Sequence, residues 1–504
     1  MKKIPIFSIV SWLLLLATSL VFAHYLRSSQ LIPQRMWIIA IILFAIVLII
    51  IAVMILRRDS HLLNMIGGVL ALVLCAAFIY ASVSLNRAVN VAQGMTDVQT
   101  TVTTMCVYMD AEDTDDSSAL TPDMCFGILE QQDRSLADEV VKTLENEFES
   151  KLDVRTYLGI TDVLDALFHD DVDAIILNSA MLHLIDETEG YKDIYDRVRE
   201  VRNIRHEKKA PVATTAPAAE TPKPQDIDQP EATPEPVNRT FTIYFSGIDN
   251  RGELIDNSRS DVNIIGVINP DTHQILLVST PRDFFVPLVF PEYTTSRDKL
   301  THAGIYGVQV SMDTLSALYD IDIDYYFRVN FDGFIDIVEA MGGVTVEVDE
   351  AFSTTEYSYP AGPNYLNGYK ALSFVRNRFG IGDHKRGKNQ LAFIKGVIDK
   401  ATSTDMLLNS NAILDSCEGC FQTSMPYDKI SEFVREQLDT KAEWNVVMYS
   451  TDGTGNSGTP YSLGYSVFVI YPDQATVDTA KEMMQMVYNG EILPSDEEEE
   501  AANP

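Results

Sequence analysis

The run FTIYFSGIDNRGELIDNSRSDVNIIGVINPDTHQILLVSTPRD, residues 241–283, decides the fold. It holds three apolar segments, Thr242–Ser246, Val262–Ile268 and Ile275–Ser279, each rich in Val or Ile and each adjoining polar residues. That is the pattern of short β-strands separated by polar connections. The connections read GIDNRG, SRSDV and STPRD. If the strands pair side by side, Asp249, Asp261 and Arg282 meet at one rim of one sheet. Two carboxylates and an arginine at such a rim suit a divalent cation with a phosphate. Solvated loop charges are the bland alternative.

Downstream, strands and helices alternate. Apolar residues recur at helical spacing in Ser311–Tyr319, Phe331–Met341, Lys370–Val375, Lys388–Ala401, Tyr427–Leu438 and Val477–Tyr488. Tyr325–Val329, Val344–Val348 and Asn445–Tyr449 read as strands. Gly342 and Gly343 stop a helix, because glycine accepts the left-handed conformation common past a helix end. The pattern predicts an α/β (α+β) domain over 239–490, with a mixed central sheet covered by helices. Within it, GYKALSFVRNRFGIGDHKRGKNQ (368–390) concentrates Arg376, Arg378, Lys385, Arg386 and Lys388 in an otherwise acidic chain. Arg376 and Arg378 share a side only if the backbone is extended, whereas Arg386 and Gln390 share a face if a helix starts near Asp383. Arginine forks match phosphate oxygens in pairs, so the cluster reads as an anion site. A solvated basic helix end is the alternative.

Upstream, residues 206–238 carry seven prolines among Ala, Thr, Glu and Lys, and 491–504 form an acidic tail. Neither composition buries a core, so the first is expected to be an extended linker and the second a solvated end. Residues 89–205 predict a small α/β domain. Its strands are Thr104–Met109, Asp153–Tyr157 and Ala174–Asn178, and its helices Ser135–Phe148, Thr161–Phe168 and Tyr191–Val201. His169 and His183 are isolated there and read as surface or packing residues. Residues 1–88 form a membrane anchor. Ile4–Leu26, Met36–Leu56 and Leu62–Leu85 carry no charge and meet the length of about 20 apolar residues needed to cross a bilayer. Three spans place Lys2, Lys3, Arg57 and Arg58 on one side and Arg27 and Arg35 on the other, which favours an extracellular C-terminal part.

A formal net charge of -34 disfavours nucleic acid as a partner. Of five cysteines, Cys75 falls in a span. Outside a cell the other four are expected as the disulfides Cys106–Cys125 and Cys417–Cys420. A zinc site at the CxxC lacks obvious further ligands.

The segments GIDNRG, SRSDV, STPRD, DKLTHA, DYYFRVNFDGFIDIVEAMGGVTVEV, NGYKALSFVRNR and GDHKRGKNQ, in this order, resemble the LytR-CpsA-Psr (LCP) family of cell-envelope proteins. The resemblance covers Thr240 to about Gly490, and the anchor and small domain resemble the family's longer members, where that domain is a non-catalytic accessory. It implies a phosphotransferase that attaches an anionic glycopolymer, a teichoic acid or capsular polysaccharide, from a polyprenyl-pyrophosphate carrier to peptidoglycan. It implies that Asp249 and Asp261 hold Mg²⁺. Arg282, Arg376, Arg378, Arg386 and Gln390 would grip the phosphates, and a lipid tail would enter an apolar pocket. Val262 stands where the family has Thr, and Asn389 where an arginine often precedes the Gln, which removes one possible phosphate contact.

The chemistry is coherent on the residues themselves. Attack on a pyrophosphate needs neutralised oxygens, and Mg²⁺ and arginines supply that. A sugar hydroxyl would attack, with Asp249, Asp261 or Asp283 accepting its proton. A pyrophosphatase using water as acceptor, or a non-catalytic envelope regulatory protein, are the alternatives.

Overall fold

The computed structural model describes the chain apart from residues 1–5, 31–32, 58–60, 97–99, 113–119, 131–132, 186–187, 189, 210–238, 249–256, 291–293, 378–381, 404–405, 407–416, 418 and 495–504. Three helices open it: α1 (Ile6–Ser28), α2 (Gln34–Leu56) and α3 (His61–Thr96). All three are long and apolar enough to cross a membrane. They pack on one another through Leu15, Ile51, Ile55 and Ala71. Gly67 and Gly68 of α3 let it approach Ile55 and Ser8 closely. Their remaining apolar faces are exposed, as lipid-facing surfaces are. The turn between α1 and α2 touches the C-terminal domain. Tyr427 Oη donates to the Ser29 carbonyl at 2.8 Å, and Arg35 Nε lies 3.1 Å from Asp439 Oδ1. That turn and the C-terminal domain therefore share one side of the helical bundle.

The next domain is a five-stranded sheet with helices on both faces. Its elements are β1 (Thr100–Asp110), β2 (Cys125–Leu129), α4 (Arg134–Phe148), β3 (Asp153–Tyr157), α5 (Ile160–Phe168), β4 (Ala174–Asn178), α6 (Ile194–Arg197) and β5 (Val198–Lys209), in strand order β3-β2-β4-β1-β5. Two readings of the sequence are corrected here. The helix expected over Tyr191–Val201 is a single turn followed by a strand, and that strand runs on to Lys209, inside the expected linker. Ile194 and Val198 pack in one apolar cluster and Val201 in another on the opposite face of the sheet, so their spacing of four and three imitates a helix. A bulge lies there too: Val107 pairs with Arg202 and Tyr108 with Glu200, leaving Val201 extra.

The Cys106–Cys125 disulfide is not formed. Cys106 on β1 pairs with Leu177, while Cys125 on β2 lies level with Asp173, with β4 between them. Two strand spacings of about 4.8 Å and a four-residue offset exceed a disulfide's reach. Cys417 and Cys420 are also unlinked thiols, adjacent in a turn closed by the Cys420 N–H to the Cys417 carbonyl at 3.0 Å.

The C-terminal domain is built on β6 (Phe241–Ile248), β7 (Ser260–Asn269) and β8 (Gln274–Ser279), the three strands expected from the sequence. A strap follows, made of β9 (Phe285–Val289), β10 (Thr294–Lys299) and a 3-10 segment (Leu300–Tyr306). Then come α7 (Val308–Tyr319), β11 (Tyr325–Val329), α8 (Phe331–Ala340), β12 (Val344–Val348), the short β13 (Phe352–Ser353) and β14 (Ser358–Tyr359), and β15 (Gly362–Leu366). The chain continues with α9 (Gly368–Arg376), α10 (Gly382–Ala401), β16 (Phe421–Thr423), α11 (Tyr427–Thr440), β17 (Asn445–Ser450), β18 (Gly453–Gly458), β19 (Val467–Pro472) and α12 (Gln474–Tyr488). Gly342 and Gly343 end α8 with φ of +71° and +78°, which a side chain would strain.

The central sheet has strand order β16-β11-β6-β7-β8-β17. It is mixed, with β11 parallel to β6, β8 parallel to β17, and antiparallel pairs between. Both faces are covered, so β7 and β8 are almost continuously buried. Tyr244, Ile265, Leu276 and Val278 face α7 and α12, while Ile264, Leu277 and Val446 pack with Leu391 of α10 and residues of α11. The register places the end of β6, the start of β7 and the end of β8 at one rim: Gly247 pairs with Val262, and Ile264 with Ser279.

Candidate functional site

Asp261 and Arg282 meet at that rim. Arg282 Nη1 donates to both Asp261 carboxylate oxygens, at 2.7 and 2.8 Å, and the two side chains are only 10–11% exposed. Arg386 comes from α10. Its Nη2 donates to the Asp261 carbonyl at 3.1 Å and lies 3.6 Å from Oδ2, while Thr301 Oγ1 donates to Oδ1 at 3.3 Å. Burial opposes charge on Asp261, but the Arg282 and Arg386 guanidiniums outweigh it and hold the carboxyl at about 2, below its usual 3.8. Asp283, next in the chain, pairs with Lys299 Nζ at 2.9 Å and lies 3.7 Å from Arg282 Nε.

The basic cluster folds back as its spacing requires. Helix α10 starts at Gly382 and brings Arg386 and Gln390 onto one face, both lining the rim. Asn389 Nδ2 and Gln390 Nε2 donate to the Phe374 and Val375 carbonyls, each at 3.3 Å. These are terminal carbonyls of α9 that have no intrahelical partner. Asn389, at the position where the family often has arginine, thus holds two helices together. Arg376, the exposed last residue of α9, lies over the Phe331 ring, 4.2 Å from its centroid. Asp249 and Arg378 lie outside the described residues.

Three hollows surround these charges. A notch of about 20 Å³ is lined by Asp261, Arg386, Gly387, Ser279, Thr280 and Ser450. Its hydroxyl groups come from matching strand ends, because parallel β8 and β17 set Ser279 opposite Ser450. The repeated Ser-Thr after two apolar runs (279–280 and 450–451) was the signal in the sequence that marks them. Gly387 keeps the notch open: a Cβ there would lie 3.1 Å from Ser279 Oγ. Behind the notch runs an apolar cavity of about 280 Å³ between the sheet and α8, α9 and α10. Phe245, Phe327, Phe334 and Phe393 line its interior, and Asp261, Arg376, Arg386 and Gln390 also border it. The third hollow, on the far side of Arg282, is a cleft of about 360 Å³ with mixed polar and apolar walls.

An ionised, arginine-clamped carboxylate thus lies at the border of an apolar cavity. The chain matches the LytR_cpsA_psr family over residues 205–484 and belongs to it, as its motifs led us to expect. It is 30% identical over 219 residues to the polyisoprenyl-teichoic acid–peptidoglycan teichoic acid transferase TagU of Bacillus subtilis, covering 43% of this chain and 69% of that protein. It is 34% identical over 196 residues to the TagU of Halalkalibacterium halodurans, covering 38% and 63%. Among solved structures, B. subtilis TagV aligns with a TM-score of 0.43 and 23% identity, over 51% of this chain and 99% of that one. TagT bound to LI-WTA aligns with a TM-score of 0.39 and 25% identity, over 50% and 91%.

Proposed function

We propose that this chain is a membrane-anchored phosphotransferase that moves an anionic glycopolymer, a teichoic acid or a capsular polysaccharide, from a polyprenyl-pyrophosphate carrier to peptidoglycan outside the cell. The observation that carries the reading is the clamp of Asp261, Arg282 and Arg386 at the border of the 280 Å³ apolar cavity. The names of the TagU relatives support the same class of donor and acceptor. Lys2, Lys3, Arg57 and Arg58 support the outward orientation.

The prenyl chain occupies the apolar cavity and leaves its pyrophosphate at the rim. Arg376 and Arg386 present guanidinium forks to the phosphate oxygens, joined by Arg378 in the sequence. The strand-end hydroxyls of Ser279 and Ser450 lie within the same notch. An acceptor sugar hydroxyl attacks the sugar-side phosphorus. Its bond to the bridging oxygen breaks, and polyprenyl phosphate leaves. Asp261, held at about 2, is a weak proton acceptor near neutrality. Asp283 is then the described rim carboxylate left to take the hydroxyl proton.

Mg²⁺ fits the donor chemistry of the rim. That ion is commonly held by one or two carboxylates together with substrate phosphates, and Asp261 is an oxygen donor ionised near neutrality there. Asp249 is the second carboxylate assigned from the sequence. Bound Mg²⁺ would neutralise charge on the pyrophosphate oxygens.

The test is the full chain in nanodiscs with a lipid-pyrophosphate glycan and peptidoglycan, with and without EDTA. The expected product is a polymer–peptidoglycan linkage that EDTA suppresses. Free phosphorylated polymer alone would establish a pyrophosphatase, and full activity in EDTA would remove the metal assignment.

A further inference from the structure

The cleft beyond Arg282 is walled by two domains. Its floor carries Lys299 and His302 of the strap, its rim carries Tyr465 and Phe468, and Leu184 and Thr188 of the N-terminal α/β domain close the far side. The domains are joined there by more than touch. Ile305 and Leu463 enter the apolar core of the N-terminal domain, Thr188 Oγ1 and Tyr465 Oη share a hydrogen bond of 2.7 Å, and Asn257 Nδ2 donates to Thr103 Oγ1 at 3.0 Å.

The floor is built rather than incidental. Asp298 is fully buried and accepts from the Lys299 and Ser462 backbone N–H groups at 2.7 and 2.8 Å. His302 Nδ1 lies 2.6 Å from its Oδ1 and 2.8 Å from Ser462 Oγ. With Nδ1 committed to that cluster, Nε2 is the ring nitrogen left for a ligand. Lys299 is paired with Asp283 and Arg282 with Asp261, so two of the three cations on the lining, Arg259 being the third, already face carboxylates, and Thr301, Tyr465 and Ser466 add groups that hydrogen-bond to sugar hydroxyls. Phe468 stands 59% exposed at the rim. A ring at the edge of such a cleft offers a flat apolar face for stacking.

The order of the hollows gives the cleft its part. The apolar cavity, the charged notch and the cleft follow one another, with Arg282 shared by the last two. In phosphoryl transfer the attacking and leaving oxygens lie roughly in line, on opposite sides of phosphorus. If the carrier tail leaves through the apolar cavity, the nucleophile arrives from the cleft. We propose that this interdomain cleft is the acceptor subsite, and that it seats the glycan strand of the acceptor against Phe468 with one wall supplied by the N-terminal α/β domain. This rests on the transferase reading above and adds the acceptor's place and the second domain's role.

The test uses the full chain in nanodiscs and two separate titrations. One follows an N-acetylglucosamine tetrasaccharide by saturation-transfer NMR, and the other follows a polyprenyl-pyrophosphate analogue. Phe468→Ala is expected to weaken tetrasaccharide binding about tenfold, the loss of one stacked ring. Thr188→Arg, placed on the other domain and reaching into the cleft, is expected to abolish it. Both should bind the lipid analogue as the wild type does, which also reports that they fold. Unchanged tetrasaccharide affinity in both variants, or no binding by the wild type, would overturn the proposal. Loss of lipid binding by the wild type would instead strike the transferase reading itself.

Discussion

Replacing Arg282 with alanine should separate the stability of the rim from its chemistry. The variant leaves the largely buried Asp261 carboxylate without the fork that contacts both of its oxygens. Stranding one member of a buried pair typically costs about 3–5 kcal/mol. Arg386 remains 3.6 Å away, so the lower end, about 3 kcal/mol, applies. For a domain of this size each kcal/mol moves Tm by roughly 2–4 °C, giving a fall of roughly 6–12 °C. The acid dependence has a definite sign. In the wild type the folded carboxyl sits at about 2 against 3.8 unfolded, so its contribution is complete above pH 3.8 and is lost as pH falls through about 2. Without Arg282 burial dominates, the folded value rises, and acid unfolding begins at higher pH. Calorimetry of the full chain in nanodiscs between pH 3 and 8 reads both effects, with Asp261→Asn/Arg282→Ala as the double variant. That double variant should regain part of the lost stability, because the buried carboxylate charge is gone although Arg386 loses its ion pair, yet stay inactive. Transfer in Arg282→Ala itself should drop about a hundredfold or more. An unaltered Tm with an unaltered acid limb would refute the clamp, and full activity would refute its part in transfer.

Other expectations follow from close approaches and caps. Gly387→Leu should fill the notch beside Ser279 and Ser450, cutting donor affinity at least tenfold and costing roughly 1–3 kcal/mol in stability. A Cβ at Gly333 would overlap the Cys420 carbonyl, so Gly333→Ala should destabilise the domain by about 3 kcal/mol in the same calorimetry. Asn389→Ala removes one hydrogen bond to the end of α9 and should cost about 1 kcal/mol while leaving the phosphate contacts in place. Alkylation of the denatured, non-reduced chain should label Cys106 and Cys125; a mass shift showing them joined would contradict the strand order of the N-terminal sheet.

The strands β6 to β8 were legible because apolar runs of five to seven residues ended in charge, and pairing in that order leaves a single rim for Asp261 and Arg282. The four-residue spacing of Arg386 and Gln390 was legible because α10 is a regular helix. The failures share a cause in backbone irregularity or distance. At β5, where the strand bulges at Val201, Val198 and Val201 stand three apart but face opposite sides of the sheet, so two cores imitated one helical face. At β18 the sequence GTGNSG has little strand propensity and pairs only because β19 lies beside it. The Cys106–Cys125 expectation rested on compartment and even number, and neither specifies which strands are neighbours. Of the strap, the motif DKLTHA was legible but its strands and its buried cluster were not. Its Asp298 and His302 meet Ser462, 164 residues from Asp298 in the chain, and only the fold assembles them.

The two-point hold on the bilayer has a kinetic meaning. Helix α3 runs into the N-terminal domain, and the α1–α2 turn is tied separately to Tyr427 and Asp439. A domain on one flexible tether would tumble, and each encounter with a carrier lipid would have to freeze that tumbling again. Here the orientational entropy is surrendered once, when the chain folds, and every later encounter begins with the cavity already at a fixed attitude. The carrier diffuses in two dimensions, so the search for the site becomes planar. Loosening Arg35 and Tyr427 together should therefore slow donor capture while leaving the steps after capture unchanged.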